Sequence, residues 1–583
     1  MKHAFGKLLL LWLAVALAVS ASATITLRNV PVAMRDGVVL RADILLPRRE
    51  GRFPTLVYRT PYNKEEALKS YTTFQHAVAS GYAVVVQDVR GRYASAGTFE
   101  AYQNEGHDGY DTIEWAARQP WSDGNIGTFG LSYPGAVQWL AAVESPPHLK
   151  AMVPAMTFST PRNFFYSSGV FDMSWIAWIW EDIAPDLRSK RNLPGPRTYQ
   201  EATAAWTTSK DRLLSAVPLD SLPDLHRVAP FYYEWLRHAP DDPWWNWAEL
   251  RDKYARVHAA VLNLSGWYDE DYGPEGATTN YLGLLATRKG QRDPRTQLLI
   301  GPWIHGVKET GATKSGEREF GPAARIDYDA VVLRWMDHYL HGINNGVERE
   351  KPVRLFLMGD NRWRDEATWP PVEAKAASFY LASASPGKPG VLAQTSPPKQ
   401  ESSAFTSDPA HPVLDAYAGR LGAHDYRDLA TRPDVLVFDS APLGKDVAIL
   451  GPITAEIYVS CNCRDFDLWV RLLDVGPDGT AFNLMSPGND VLRASYREPQ
   501  HGRQLLTPGQ IYKLTLPNMR SGNVYTAKHR IRVQISGSFF PDFSRNLQSG
   551  ELETTSSKMR PAEIRIYHDH DHPSRILLPV LPR

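Results

Sequence analysis

Apolar and polar residues alternate through residues 24–46 around Asp36-Gly37, the pattern of two half-buried strands joined by a tight turn. Beyond this hairpin the period changes. Residues 53–58, 82–87, 124–129, 150–155, 259–264 and 296–300 are short apolar runs, and helical spacing fills 65–80, 111–119, 136–142 and 323–340. Continuous apolar strands alternating with helices predict an α/β protein with a doubly wound, mostly parallel sheet covered on both faces. Reactive groups in such sheets collect at the carboxyl ends of the strands.

Two stretches break the alternation. Between the runs near 153 and 262 fall Trp175, Trp178, Trp180, Trp206, Trp235, Trp244, Trp245 and Trp247, in a mostly helical insertion placed where it would cap the strand ends. Most of these rings read as the insertion's own core, with a few left to line a cavity. From about Val353 the chain turns to short strands and Gly/Pro turns, for example around Val435, Thr454 and Arg530, which predicts a β-sandwich of roughly 230 residues. The expected organisation is a catalytic α/β unit over 24–155 and 256–345, a helical cap over 156–255 and an all-β unit over 352–583. Residues 386–402, with their Pro, Ser and Lys, read as an exposed loop.

Composition narrows the function classes. Lys plus Arg and Asp plus Glu balance at 64 each, which removes the electrostatic footprint expected of a nucleic-acid or anionic-membrane partner. Lys2, His3 and Lys7 precede an apolar run over 8–19 that ends in Ala21-Ser22-Ala23, the pattern of a secretory signal peptide over 1–23. The expected mature chain is therefore periplasmic or extracellular, without a membrane anchor. Cys461 and Cys463 could oxidise there; free thiols and a bridge at a bulge both fit their spacing. The tract Tyr567-His568-Asp569-His570-Asp571-His572 invites a metal reading, but its alternation suits a strand end better.

The most pointed chemistry lies at Gly130-Leu131-Ser132-Tyr133-Pro134-Gly135. A strand-like run leads in and a helix-prone run leads out, so Ser132 falls on a sharp strand-to-helix turn, where a hydroxyl stands clear and helix N–H groups face its target. An ordinary turn serine would have the same look, and the motif is GxSxxG in place of the common GxSxG. A nucleophilic serine needs a base and a carboxylate to orient that base. Asp269, after the run ending at Leu264, and His305, after the run ending at Ile300, supply them in the order Ser, Asp, His. Glu270 and Asp271 rival Asp269 by spacing alone. The Tyr133 backbone N–H and the Tyr62 phenol, on the loop after an early strand, are candidate oxyanion donors.

Tyr62 within TPYNK, DVRGRYASAGTF over 88–99, GTFGLSYPG over 127–135, GWYD ending at Asp269 and GPWIH ending at His305 resemble the cocaine esterase-like (CocE/NonD) hydrolases. These belong with the X-Pro dipeptidyl peptidases and α-amino acid ester hydrolases. The resemblance continues through DLWVRLLDVGPDG over 467–479, LRASYR over 492–497 and SGSFFP over 536–541. It implies an α/β-hydrolase domain, a cap and a C-terminal jelly roll closing one side of the site. It also implies Ser132 as nucleophile, His305 as base, Asp269 as its orienter, and Tyr62 with the Tyr133 N–H as oxyanion hole. No metal or organic cofactor is implied. The expected substrate is a small ester, an amide or a short peptide, with Glu270, Asp271, Asn163, Trp175 and Trp267 as candidate binding residues. Relatives that hydrolyse α-amino acid esters hold the substrate ammonium in a carboxylate cluster whose third member lies early in the cap. Arg162 and Asn163 stand in that neighbourhood here, so the expectation is a carboxylesterase or acylase preferring an uncharged or weakly anionic acyl group. An α-amino acid ester hydrolase, an X-Pro dipeptidyl peptidase, and a carbohydrate-binding protein with an inactive hydrolase domain are the alternatives.

Overall fold

The computed structural model describes residues 24–288, 293–385, 387–396 and 402–582. Residues 1–23, read above as a signal-peptide pattern, therefore lie outside the described residues. Among the described residues ten strands build the first sheet: β1 (Ile25–Ala33), β2 (Val39–Leu46), β3 (Phe53–Thr60), β4 (Ala83–Asp88), β5 (Ser122–Leu131), β6 (Leu149–Ala155), β7 (Ala260–Tyr268), β8 (Thr296–Ile304), β9 (Val353–Leu357) and β10 (Arg362–Glu366). Their order is β1-β2-β4-β3-β5-β6-β7-β8-β9-β10. Pairing is parallel from β4 through β9 and antiparallel at both edges.

The central strands read as apolar runs because both faces are covered. Val57 and Val85 pack on one face with Ile113 and Ala136, carried by helices Glu105–Ala117 and Tyr133–Ala142. Their neighbours Leu56 and Val84 point to the other face, onto Phe74 and Val332 of helices Thr73–Ala79 and Tyr328–Tyr339. The helical stretch expected over 65–80 is two helices, Lys64–Ser70 and Thr73–Ala79, since Tyr71 turns to extended backbone between them.

The insertion between β6 and β7 is the helical, aromatic cap. Phe165 packs against Trp175, Trp235 and Trp245 at ring-centroid distances of 5.1, 4.3 and 5.0 Å, which gives the cap its core. The C-terminal part is an all-β unit with fourteen strands among the described residues. Two expectations are corrected here. Residues 353–366 do not open that unit: β9 and β10 extend the first sheet, with β9 parallel to β8. Edge strands bounded by turns carry the same local signal in either sheet, so the break could not be located from pattern. Within 386–402, Gly390–Ala393 is a strand paired with Lys375–Ala382, because Leu392 turns into the β-unit core. Cys461 and Cys463 are joined in a disulfide. At the closing strand His568 turns inward to Ser403 at 2.9 Å, while His570 and His572 pair with Asp571 and Asp569.

Candidate active site

The elbow at Ser132 follows from its glycines. Ser132 has φ 68° and ψ −128°, a strained conformation for a residue with a Cβ, and it is held by Ser132 N donating to Ala155 O at 3.0 Å. A Cβ at Gly130 would stand 2.6 Å from the Pro134 side chain, and one at Gly135 would stand 2.6 Å from Ala155 O. Glycine two before and three after the serine is therefore what lets β5 turn directly into the next helix. Tyr133 is that helix's first residue, so its N–H has no partner within the helix.

Asp269 and His305 are brought together by register. β7 and β8 run to Tyr268 and Ile304, four residues past the apolar runs read from the sequence, and Tyr268 pairs with Ile304 after a bulge. The next residues are Asp269 and His305. A Cβ at Gly266 would stand 2.2 Å from Trp303 O, which accounts for the glycine of the GWYD motif. His305 Nδ1 donates to Asp269 Oδ1 at 2.6 Å. Ser265 Oγ and Glu270 N donate to the same carboxylate at 2.9 Å each. Asp269 is fully buried, and a Cβ at Gly273 would overlap its Oδ2, so the helix that follows can start here only with glycine. Burial lowers the His305 pKa, but the charge and hydrogen bond of Asp269, with help from Glu270, outweigh it and the net shift is upward. With Nδ1 engaged, Nε2 is the ring nitrogen with a lone pair to offer.

Ser132 and His305 line one cavity of about 500 Å³. Tyr62, Tyr71, Tyr102, Trp175, Trp178 and Tyr272 give it aromatic walls; Gly419, Arg420, Leu421 and Asp542 of the β-unit close one side. The Tyr62 phenol contacts the Ser132 hydroxyl, and desolvation pushes its pKa upward, so it stays protonated and able to donate. A larger cavity of about 800 Å³, lined by Leu262, Leu298 and Trp335, lies away from these groups.

Trp175 lines the cavity, as expected, and so does Glu270. Three other candidate positions do not. Trp267 is fully buried and donates to Phe356 O at 2.8 Å, a packing role. Asn163 sits in a short 3-10 turn off the cavity. Asp271 is buried behind the wall, bonded to Ser167. The premise that a cation stands in the third acid's place also fails, because Arg162 is turned away and pairs with Glu249 at 2.6 Å. The cap acid that meets the Glu270-Asp271 pair is Asp172. Burial raises the Asp172 and Asp271 pKa values well above the usual range, with mutual repulsion and Glu270 adding to it. Burial likewise pushes Glu270 up to about 7, opposed by His305, and Asp542 up to about 6. Sequence reasoning passed over Asp172, although a single acid within the apolar run Val170-Phe171-Asp172-Met173 was the available signal.

The sheet order, with a serine at the elbow sharing one cavity with a carboxylate-bound histidine, is that of an α/β-hydrolase of the serine type. The chain belongs to the cocaine esterase-like branch of the X-Pro dipeptidyl-peptidase (S15) family and is an enzyme of the serine hydrolase class. Residues 36–307 match the S15 X-Pro dipeptidyl-peptidase family, and residues 345–577 match the X-Pro dipeptidyl-peptidase C-terminal non-catalytic domain. A cocaine esterase of Rhodococcus sp. is 32% identical, covering 95% of this chain and 98% of its own. Among solved structures, an α-amino acid ester hydrolase superposes with a TM-score of 0.77 at 24% identity, covering 96% of this chain and 97% of that one. An aminopeptidase of a marine-sediment Thaumarchaeota archaeon superposes with a TM-score of 0.77 at 22% identity, covering 97% of each. These two share the fold.

Proposed function

We propose that the protein hydrolyses carboxylic esters through an acyl-enzyme on Ser132. The observation that carries this reading is the 2.6 Å bond from His305 Nδ1 to Asp269, which leaves Nε2 free in the cavity that also exposes Ser132. His305 Nε2 takes the Ser132 hydroxyl proton as Oγ attacks the carbonyl carbon. The Tyr133 N–H and Tyr62 O–H donate to the oxygen that becomes negative. His305⁺ then passes its proton to the departing alcohol, and water repeats the sequence to release the acid. A carbohydrate-binding protein with a silent hydrolase domain is the weaker reading, since Ser132, His305 and Tyr62 line one cavity and Asp269 is bonded to His305. The signal pattern over 1–23 supports placing the activity in the periplasm or outside the cell.

A specific observation favours one substrate class over the uncharged acyl group expected from the sequence. Glu270 and Asp542 face the cavity, with Asp172 and Asp271 behind them, and among the described residues no Lys or Arg forms an ion pair with any of the four. A bound ammonium would favour their ionised forms, so we infer a preference for esters carrying a cationic nitrogen. Two measurements test the proposal. Ser132→Ala should lower kcat by about 10⁴-fold or more and abolish fluorophosphonate labelling with the fold intact; retained turnover would end it. For matched esters with and without an α-amino group, kcat/KM should favour the amino ester by about tenfold or more, roughly 1.4 kcal/mol. Equal rates would return the uncharged reading.

A further inference from the structure

The motif DVRGRY, over 88–93, takes no part in the chemistry above, yet its second arginine is fully buried. Arg92 donates from Nε to Pro61 O at 2.9 Å, from one terminal nitrogen to Ile183 O at 2.7 Å and from the other to Asp182 O at 3.0 Å. Pro61 is the residue before Tyr62. Asp182 and Ile183 close a π-helical turn, Ile179–Ile183, in the middle of the cap helix that begins at Ser174. Tyr93 N donates to Asp186 at 3.0 Å, and Lys190 Nζ donates to Gly91 O and Ser95 O at 3.0 and 3.1 Å. The loop thus fastens the cap helix to the Tyr62 loop along its length. A π-turn relieves the strict 3.6-residue rotation and re-aims the helix around it.

Trp178, immediately before that turn, uses this placement. Its Nε1 donates to the Tyr62 phenol oxygen at 2.9 Å. The indole lies nearly parallel to Tyr102 and to Tyr133, both with centroids at 6.3 Å, and meets Trp175 edge-on at 5.3 Å, so its plane is fixed. An indole N–H can only donate, whereas a phenol has one proton to give and lone pairs to receive. In this pair Tyr62 must be the acceptor, and its single proton is left for another partner. A water or hydroxyl at the same place could accept that proton and turn it away from the serine. Accepting a hydrogen bond also polarises the phenol and strengthens the bond it donates.

We propose that Trp178 is a positioning residue of the oxyanion hole: its N–H occupies the acceptor side of the Tyr62 phenol and commits the phenol's proton to the oxyanion forming above Ser132, with Arg92 holding helix and loop together for this bond. The proposal rests on the reading of Tyr62 as an oxyanion donor. Because Trp178 acts through Tyr62, its effect should exist only when the phenol is present.

The test is a double-mutant cycle on a neutral aryl ester, with active sites titrated by fluorophosphonate. Trp178→Phe should lower kcat roughly tenfold and leave KM within about threefold. In a Tyr62→Phe background, which alone should be slower by about 10²-fold, the same change should alter kcat by less than about twofold. Replacing Trp178 with 3-benzothienylalanine, which keeps the bicyclic shape and lacks the N–H, should reproduce the loss and separates it from packing or folding defects. If the two losses multiply, or the benzothienyl variant matches the parent, Trp178 acts by packing or substrate contact and this inference falls alone. If Tyr62→Phe leaves kcat unchanged, the oxyanion role of Tyr62 falls and takes this inference with it.

Discussion

In the C-terminal unit the buried Arg493 meets Asp467 at 2.8 Å and Glu553 at 2.7 Å, and Asn546 and Ser544 donate to the same carboxylates at 3.0 and 2.7 Å. Along the cavity, Asp172, Glu270, Asp271 and Asp542 come together, and among the described residues no Lys or Arg forms an ion pair with them, although Arg420 lines the same cavity and Lys210 acts on Asp542 from farther off. The residue types match; what differs is the countercharge. Burial lifts Asp467 to about 6 even beside Arg493, while Glu270, facing only His305 as a cation, goes to about 7. A buried acid that already owns its cation fixes how strands and cap meet, because losing either partner strands a charge. Acids without a cation lower stability in the empty protein and leave an electrostatic demand that a ligand can meet. The contrast separates a structural network from a binding wall without reference to which domain holds either.

The largest expected effect comes from breaking the satisfied side. Arg493→Met strands Asp467 and Glu553 and should cost about 3–5 kcal/mol in urea unfolding. Adding Asp467→Leu and Glu553→Leu to it should recover most of that loss, since the two carboxylates that Arg493 paired are then gone and the remaining buried acid, Asp465, keeps Arg503 at 3.3 Å. A loss below about 1 kcal/mol in the single variant would mean that the network is solvated and the contrast false. Next in size is the unsatisfied side. Glu270→Gln should leave stability unchanged or raised, and should reduce the preference for an amino ester over its matched neutral ester by about tenfold. Destabilisation with unchanged selectivity would move Glu270 into the structural group.

How much of this could be read beforehand depends on whether a feature is local. The strands of the first sheet, the elbow and the order Ser132, Asp269, His305 were legible because apolar runs, glycines and turn residues encode them within a few positions. The family resemblance chose Asp269 over Glu270 and Asp271; the register of β7 against β8 supplies the physical reason, since only Asp269 follows the paired Tyr268 as His305 follows Ile304. Long-range placements were not legible. Asp172 reaches the Glu270-Asp271 pair through the folding of the cap, and the sequence neighbourhood pointed to Arg162, which Glu249 draws away. Trp267 stands two residues before Asp269 and was taken as a binding residue; its indole packs in the core with Phe356 and donates to the Phe356 carbonyl, a placement set by the neighbouring strand and not by anything local in the sequence. Strands β9 and β10 carry no local mark of the sheet they join.

The smallest effect sharpens the comparison through pH. His305 must be neutral to accept the Ser132 proton, and its pKa is raised, so kcat/KM should climb with pH through a midpoint above the ordinary histidine value. Glu270 is one of the charges that favour the imidazolium, so Glu270→Gln should move this acidic limb to lower pH. Stability should respond to the same group with a definite sign. Glu270 goes from an ordinary value near 4.5 to about 7 in the folded protein. Between these values the folded state holds a proton that the unfolded state has released, so the stability of the parent falls as pH rises through this window and levels off above it. The Gln variant lacks that contribution, and the gap between the two proteins should therefore grow from pH 4.5 to 7 in the variant's favour. Measuring the acidic limb of kcat/KM and the urea midpoint of both proteins across this range checks the two signs together. A stability gap that closes with rising pH would show that a cation holds Glu270 in its ionised form after all, and a limb that moves upward would show that Glu270 does not favour the imidazolium of His305.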